Sequence, residues 1–125
     1  MEPRRLLPWA RRATVIAAVV AGLYLWSRFE LLDLPAAGCS PLLSIAPGTT
    51  LWVDTRPPAY VAGDVAFFEG PAGDVLIAVV DSVPAPGRYW LLTDNEACPS
   101  DDSRELGAIP AERMRGRVVF AGSFP

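Results

Sequence analysis

Hydrophobic positions fall into two regimes along this chain. From Ala13 to Ser27 the fifteen residues ATVIAAVVAGLYLWS carry no charge and no alternation, which predicts a helix that is apolar on every side. From Thr50 onward the apolar residues come instead in short β-branched and aromatic runs. These are TLWVD at Thr50–Asp54, DVAFFE at Asp64–Glu69, VLIAVVDSV at Val75–Val83, RYWLL at Arg88–Leu92 and GRVVF at Gly116–Phe120. Arg56-Pro57-Pro58, Gly70-Pro71-Ala72-Gly73 and Pro84-Ala85-Pro86-Gly87 separate them as turn signals, so the runs read as strands. Only Pro110–Arg115 has helical character, as a short turn opened by a proline. The predicted fold is mostly β, a compact domain behind one N-terminal helix. A chain of 125 residues has no room for a second core, and its 10 glycines and 13 prolines suit a turn-rich β architecture.

The uncharged stretch is shorter than the roughly 20 residues that usually span a bilayer. Arg12 and Arg28 flank it, and their side chains can reach out to headgroups while Leu6 to Trp9 and Phe29, Leu31 and Leu32 lengthen the apolar surface. Tyr24 and Trp26 suit an interfacial belt, and Arg4, Arg5, Arg11 and Arg12 place the N-terminus on the cytoplasmic side. The expectation is a basic cytoplasmic segment at 1–12, a transmembrane anchor in lipid at 13–28, a linker at 29–37 and an extracytoplasmic domain at 38–125. A cleaved signal peptide competes with the anchor, because Ala36-Ala37-Gly38 ends in small residues. Those residues lie well beyond the apolar core, with Glu30 and Asp33 between, and the same acids weigh against a lipoprotein reading of Ala37-Gly38-Cys39.

Charge narrows the chemistry. All 11 basic residues are arginine, and the chain has neither lysine nor histidine. Past Glu30, six arginines face twelve Asp and Glu, a balance that repels phosphate backbones and excludes nucleic acid as a partner. Two cysteines without histidine fall short of a zinc set, so no metal or organic cofactor is expected.

The segment TDNEACPSDDSRELGAIPAERMRGRVVF, from Thr93 to Phe120, carries an ordered set: Asp94, Asn95, Ser100, Asp102, Ser103, Arg104, Gly107, Pro110 and Gly116. It resembles the closing half of the type I signal peptidases, membrane serine peptidases whose fold ends in a GDN box, S-x-DSR, a G-x-V-P segment and G-K/R before a last strand. Two departures stand out. Thr93 replaces the box glycine, and one extra residue separates Asn95 from Ser100. Gly63-Asp64 before Val65 is similar to the family's second G-D-x-V strand. The resemblance covers about Gly38 to Phe120 and implies a signal-peptidase-like β fold behind a membrane anchor, with signal peptides or preproteins as partners.

The family's nucleophile box, G-x-S-M-x-P-T-L-x-x-G-D, lies over Gly38 to Thr49 and puts the nucleophile at Ser40. Pro41 then replaces the family methionine, Leu43 its proline and Thr49 its aspartate. A second register puts the nucleophile at Ser44, because Ser44-Ile45-Ala46-Pro47 restores S-x-x-P. The family's lysine base maps to Ala78 or Val80, and neither side chain can take a proton. Arginine cannot serve, since it stays protonated in proteins. Asp81 neighbours the vacancy, but a carboxylate near its ordinary pKa of about 3.9 is a poor base for serine, and the ladder-carboxylate reading is preferred.

The resemblance also brings the serine segment near the loop between the Asp94-Asn95 box and Asp102. That allows a Cys39–Cys98 disulfide, with two separate thiols as the alternative. Asp102, Ser103 and Arg104 are expected to brace the site wall through hydrogen bonds and an ion pair. Trp52, Phe67, Phe68, Tyr89 and Trp90 are expected in the core. The combined expectation is a pseudo-peptidase that keeps the scaffold and a serine but lacks its base. Two alternatives stand beside it: an active serine endopeptidase that takes its base from Asp81 or a partner subunit, and a structural or interaction module on the same scaffold.

Overall fold

The computed structural model describes residues 3–34, 38–57 and 59–122, with side chains from Pro8 onward. Ala36 and Ala37, on which the signal-cleavage reading rests, lie outside them. Helix α1 spans Pro3–Arg28, and strand β1, Phe29–Asp33, follows it without a break. Five of the expected elements recur as β2 (Thr50–Asp54), β3 (Val65–Glu69), β4 (Val75–Ala85), β5 (Arg88–Leu92) and β7 (Met114–Gly122). Helix α2 (Ser103–Leu106) and the two-residue strand β6 (Ile109–Pro110) stand between β5 and β7.

One antiparallel sheet holds all seven strands of the described residues, in the order β1-β2-β7-β3-β4-β5-β6. Strands β3 and β4 are buried on both faces, and their alternation sorts side chains into two clusters. Ala66, Phe68, Ala78 and Val80 pack with Tyr60, Tyr89, Leu91, Ile109 and Met114. Phe67 and Ile77, flanked by Val65 and Val79, pack with Leu51 and Val53 of β2 and with Leu42 and Ile45 of the loop before it. That loop is thereby plugged into the sheet by two aliphatic side chains.

Strand β7 crosses close to β2 at Gly116. A Cβ there would fall 2.9 Å from the carbonyl oxygen of Asp54 and into contact with Val53 Cγ1, so only glycine fits. This gives a physical reason for the glycine that the family motif predicts. Gly107 ends α2 at φ +76°, a conformation that residues with a Cβ rarely adopt.

Several expectations need correction. No helix among the described residues is long and apolar enough to cross a membrane, so the anchor expected at 13–28 does not follow. The uncharged run gives only roughly 22 Å at 1.5 Å per residue, against a hydrocarbon core of about 30 Å, and α1 also contains Arg11 and Arg12. The supposed linker at 29–37 contains an edge strand, because Phe29–Asp33 finds a pairing partner in β2. The turn expected at Pro110–Arg115 shrinks to a 3₁₀ turn at Ala111–Arg113, since Met114 already belongs to β7. Of the five aromatics assigned to the core, Phe67, Phe68 and Tyr89 are buried, Trp90 is half-buried, and Trp52 is 40% exposed. Trp52 points to the opposite face of β2 from Leu51 and Val53.

Candidate active site

Gly38 to Thr49 forms no helix or strand, and the plug of Leu42 and Ile45 sets its path. Ser40, two residues before the plug, is 4% exposed. Its hydroxyl donates to the Leu42 carbonyl at 3.0 Å and accepts from the Leu42 N–H at 3.3 Å. Both functions of the Oγ are thus spent on its own turn, a local competition typical of serine. Ser44, the alternative register, is exposed.

The segment from Asp94 to Cys98 holds this loop from the side. The Asn95 side-chain amide donates to the Ser40 carbonyl at 2.7 Å, and the N–H groups of Asp94 and Asn95 donate to the Pro41 carbonyl at 3.2 and 3.0 Å. Asp94 Oδ1 accepts from the Leu43 N–H at 2.8 Å. Cys39 and Cys98 form a disulfide immediately beside these bonds, so the bridged alternative holds. The Asp-Asn box therefore acts as the clamp of the serine loop.

Ala78 and Val80 are fully buried in the cluster of Tyr60 and Tyr89, whereas the plug Leu42 packs with Ile77 on the other side of β4. The face of β4 turned toward the serine loop thus carries Ile77 and Val79, and the two expected base positions point away from it. None of the four side chains Ile77, Ala78, Val79 and Val80 can accept a proton from Ser40. Burial pushes the Tyr60 phenol, in the cluster of Ala78 and Val80, up to about 12, so it stays protonated. Asp81 sits exposed at a bulge, between the pairs Val80–Leu91 and Ser82–Trp90. Gly63 and Asp64 extend the β3–β4 ladder: the Gly63 N–H donates to the Val80 carbonyl at 2.7 Å, and the Val80 N–H donates to the Asp64 carbonyl at 2.8 Å.

Asp102, fully buried, is the N-cap of α2. Its Oδ1 accepts from the Arg104 N–H at 2.9 Å, and its Oδ2 accepts from the Thr93 N–H at 3.0 Å, the Thr93 hydroxyl at 3.1 Å and the Arg104 guanidinium at 2.7 Å. Burial by itself would raise this carboxyl, but the Arg104 guanidinium and the N–H groups of Thr93 and Arg104 outweigh it. They hold the group well below the usual carboxylate range. The Thr93 hydroxyl supplies a bond that the family's glycine cannot make. Ser103 Oγ accepts from the Leu91 N–H at 2.8 Å, so Ser103 and Asp102 together satisfy the outer edge of β5 beyond β6. Ser100, half-buried, leads into this cap.

Sequence reasoning missed the junction of α1 with the sheet. Arg28 grips Asp54 through two bonds, Nε to Oδ1 at 3.0 Å and Nη2 to Oδ2 at 2.8 Å, and donates to the Tyr24 hydroxyl at 2.7 Å. The Arg28 guanidinium holds the Asp54 carboxyl below the usual range, against the opposing effect of burial. Beside this junction a cleft of about 1100 Å³ opens between α1 and the sheet, lined by Leu25 and Trp26 of the helix and Phe29 of β1. Its lining also includes Leu31, Trp52 and Phe120, which are cross-strand neighbours and all exposed. Asp54 was legible only as a strand end, and nothing local marks it as the partner of Arg28. Compared with models of known protein families and with curated proteins, the sequence matches none.

Proposed function

We propose that this chain is a signal-peptidase-like pseudo-peptidase, a scaffold that receives extended peptides at a membrane surface and does not cut them. The observation that carries this reading is the state of Ser40: buried, its hydroxyl spent on Leu42, beside a β4 face made of Ile77 and Val79. A general base must lie within about 3 Å of the hydroxyl it deprotonates, and the whole chain has no lysine or histidine to supply one. The order of Asp94-Asn95 and Asp102-Ser103-Arg104 supports descent from a peptidase scaffold.

Peptide capture is supported by the free edge of the sheet. Arg28 and Leu34 use their backbone groups toward the β2 side, so the N–H and C=O groups of Phe29, Leu31 and Asp33 point outward. An extended peptide adds there as an eighth strand. Membrane association is supported by the apolar turns of α1 together with Leu31, Trp52 and Phe120, which extend the lipid-facing surface beyond the helix. The Cys39–Cys98 disulfide supports an oxidising compartment for the β domain.

The test is incubation of the vesicle-reconstituted protein with a preprotein between about pH 6 and pH 10, where a serine base would titrate. Ser40→Ala and Ser44→Ala serve as controls. The reading expects no cleavage and retained binding of the preprotein. Cleavage abolished by either substitution would overturn it and point to Asp81 or a partner subunit as the base. Absence of both cleavage and binding would leave an interaction module on the same scaffold.

A further inference from the structure

We infer that the Cys39–Cys98 disulfide is a redox latch on the serine loop: its reduction releases residues 38–41 and 94–98 from one another while the sheet stays folded. The bond joins two segments without helix or strand, and it sits one residue before Ser40 and three after Asn95. Of the polar ties beside it, those of Pro41 and Leu43 to Asp94 and Asn95 lie near water, and the Asn95 bond to the Ser40 carbonyl is part-buried. Asp94 and Leu43 are exposed, and Pro41 and Asn95 are half-buried. Such bonds exchange for bonds to water at small net cost, so the covalent link dominates the closure. Leu42 and Ile45 are held separately in the core, so opening stops at the plug.

The two sulfurs are unequal. Cys39 is exposed and Cys98 is buried, which directs an incoming thiolate to the Cys39 sulfur. A dithiol reductant attacks there, the S–S bond breaks, and Cys98 leaves as a thiolate that takes up a proton. The second thiol of the reductant then attacks the mixed disulfide and frees Cys39, so the reductant is oxidised to its own disulfide and the protein gains two electrons and two protons.

Closed, the loop withholds three backbone groups from a peptide. The Ser40 and Pro41 carbonyls and the Leu43 N–H are all bonded to Asp94 or Asn95. Opening frees these three groups. The consequence for peptides rests on the function proposed above; the opening itself does not.

The test is amide hydrogen exchange on the full chain, oxidised and then reduced. Reduction should lower protection at Leu43, Asp94 and Asn95 by about tenfold or more, and leave Val80 and Leu91 unchanged. A Cys39→Ser/Cys98→Ser double variant should show the open pattern with or without reductant. If that variant does not fold, the wild-type protein reduced in place still decides. A small-thiol adduct trapped during reduction should sit on Cys39. Equal protection in the two redox states would overturn the latch, as would loss of protection at Val80 and Leu91 together with the loop, which would make the bond a staple of the whole fold. Opening without gain of preprotein binding upholds the latch and overturns only its consequence for peptides.

Discussion

Asn95 donates from its side chain to the main-chain carbonyl of Ser40, 55 residues earlier, at 2.7 Å. Its own carbonyl Oδ1 turns the other way and accepts from the Ala97 N–H at 3.1 Å. One amide thus fixes both the serine loop and the turn that carries Cys98. An aspartate could fill only the second role.

Asn95→Ala should therefore lower stability by about 1 to 3 kcal/mol, since it removes two hydrogen bonds and leaves the Ser40 carbonyl without this donor. Asn95→Asp should cost more, because it turns a carboxylate oxygen toward the Ser40 carbonyl. Urea unfolding of the two variants, with the disulfide intact, measures the difference.

Ser103→Ala removes the acceptor of the Leu91 N–H in a fully buried place. An unsatisfied buried donor costs about 1 to 3 kcal/mol. The expected loss falls in that range, with faster exchange at the Leu91 amide as the local signature. Equal exchange before and after substitution would show that the edge of β5 is closed by something else.

Asp102 makes an acid-limb prediction. Its folded pKa lies below its unfolded value, so its contribution to stability is fully present above about pH 4, the ordinary carboxylate range. That contribution fades as pH falls below 4 toward the depressed folded value. Asp102→Asn should cost about 1 to 3 kcal/mol at neutral pH, since the amide keeps a single acceptor oxygen for the Thr93 and Arg104 N–H groups in a buried place. The gap to wild type should narrow progressively below about pH 4, so thermal melts at neutral pH and at pH 2 to 3 distinguish this from a merely steric defect.

Gly116→Ala drives a methyl group against Val53 and the Asp54 carbonyl. Overpacking of this kind costs about 1 to 3 kcal/mol. The effect should appear as a lower melting temperature with the β2–β7 pairing most affected, read from amide exchange at those strands.

Introducing a lysine where the signal-peptidase resemblance would put one should fail. In Ala78→Lys or Val80→Lys the ammonium enters the cluster of Phe68, Tyr89 and Leu91, away from the serine loop. Burial of an unpaired charge destabilises strongly or forces the amine neutral. Both variants should lose stability by several kcal/mol and show no serine-dependent cleavage; cleavage by either would refute the facing assigned to β4.

What could be read from residues alone follows a physical divide. Alternation and turn residues are local, so β2 to β5 and the late strand were legible with small shifts at their ends. The order Asp102-Ser103-Arg104 pointed to a hydrogen-bond and ion-pair set, and these residues bond one another, Thr93 and Leu91, whereas Asp94-Asn95 was legible only as a motif and not as the clamp on the serine loop. The strand Phe29–Asp33 escaped notice because its two acids break the hydrophobic pattern and its partner lies beyond a long loop. Helix α2 had a readable signal that went unused, the capping box of Asp102 with Glu105. The burial of Ser40 was not legible, since it depends on a rotamer and on a plug two residues away. The facing of β4 was not legible either, because periodicity separates odd from even positions without saying which set meets a distant loop.

The Arg28 junction has a mechanical consequence. The Arg28 carbonyl accepts from both the N–H and the hydroxyl of Thr55, at 2.8 and 2.7 Å, while its guanidinium grips Asp54. Helix and sheet meet at this one residue without a flexible spacer, so the first element is a crank and not a leash. Any tilt imposed on the helix becomes torque on β2, and β2 shares its core with the plug beneath Ser40. The angle of that single joint therefore sets how the helix stands relative to the serine loop.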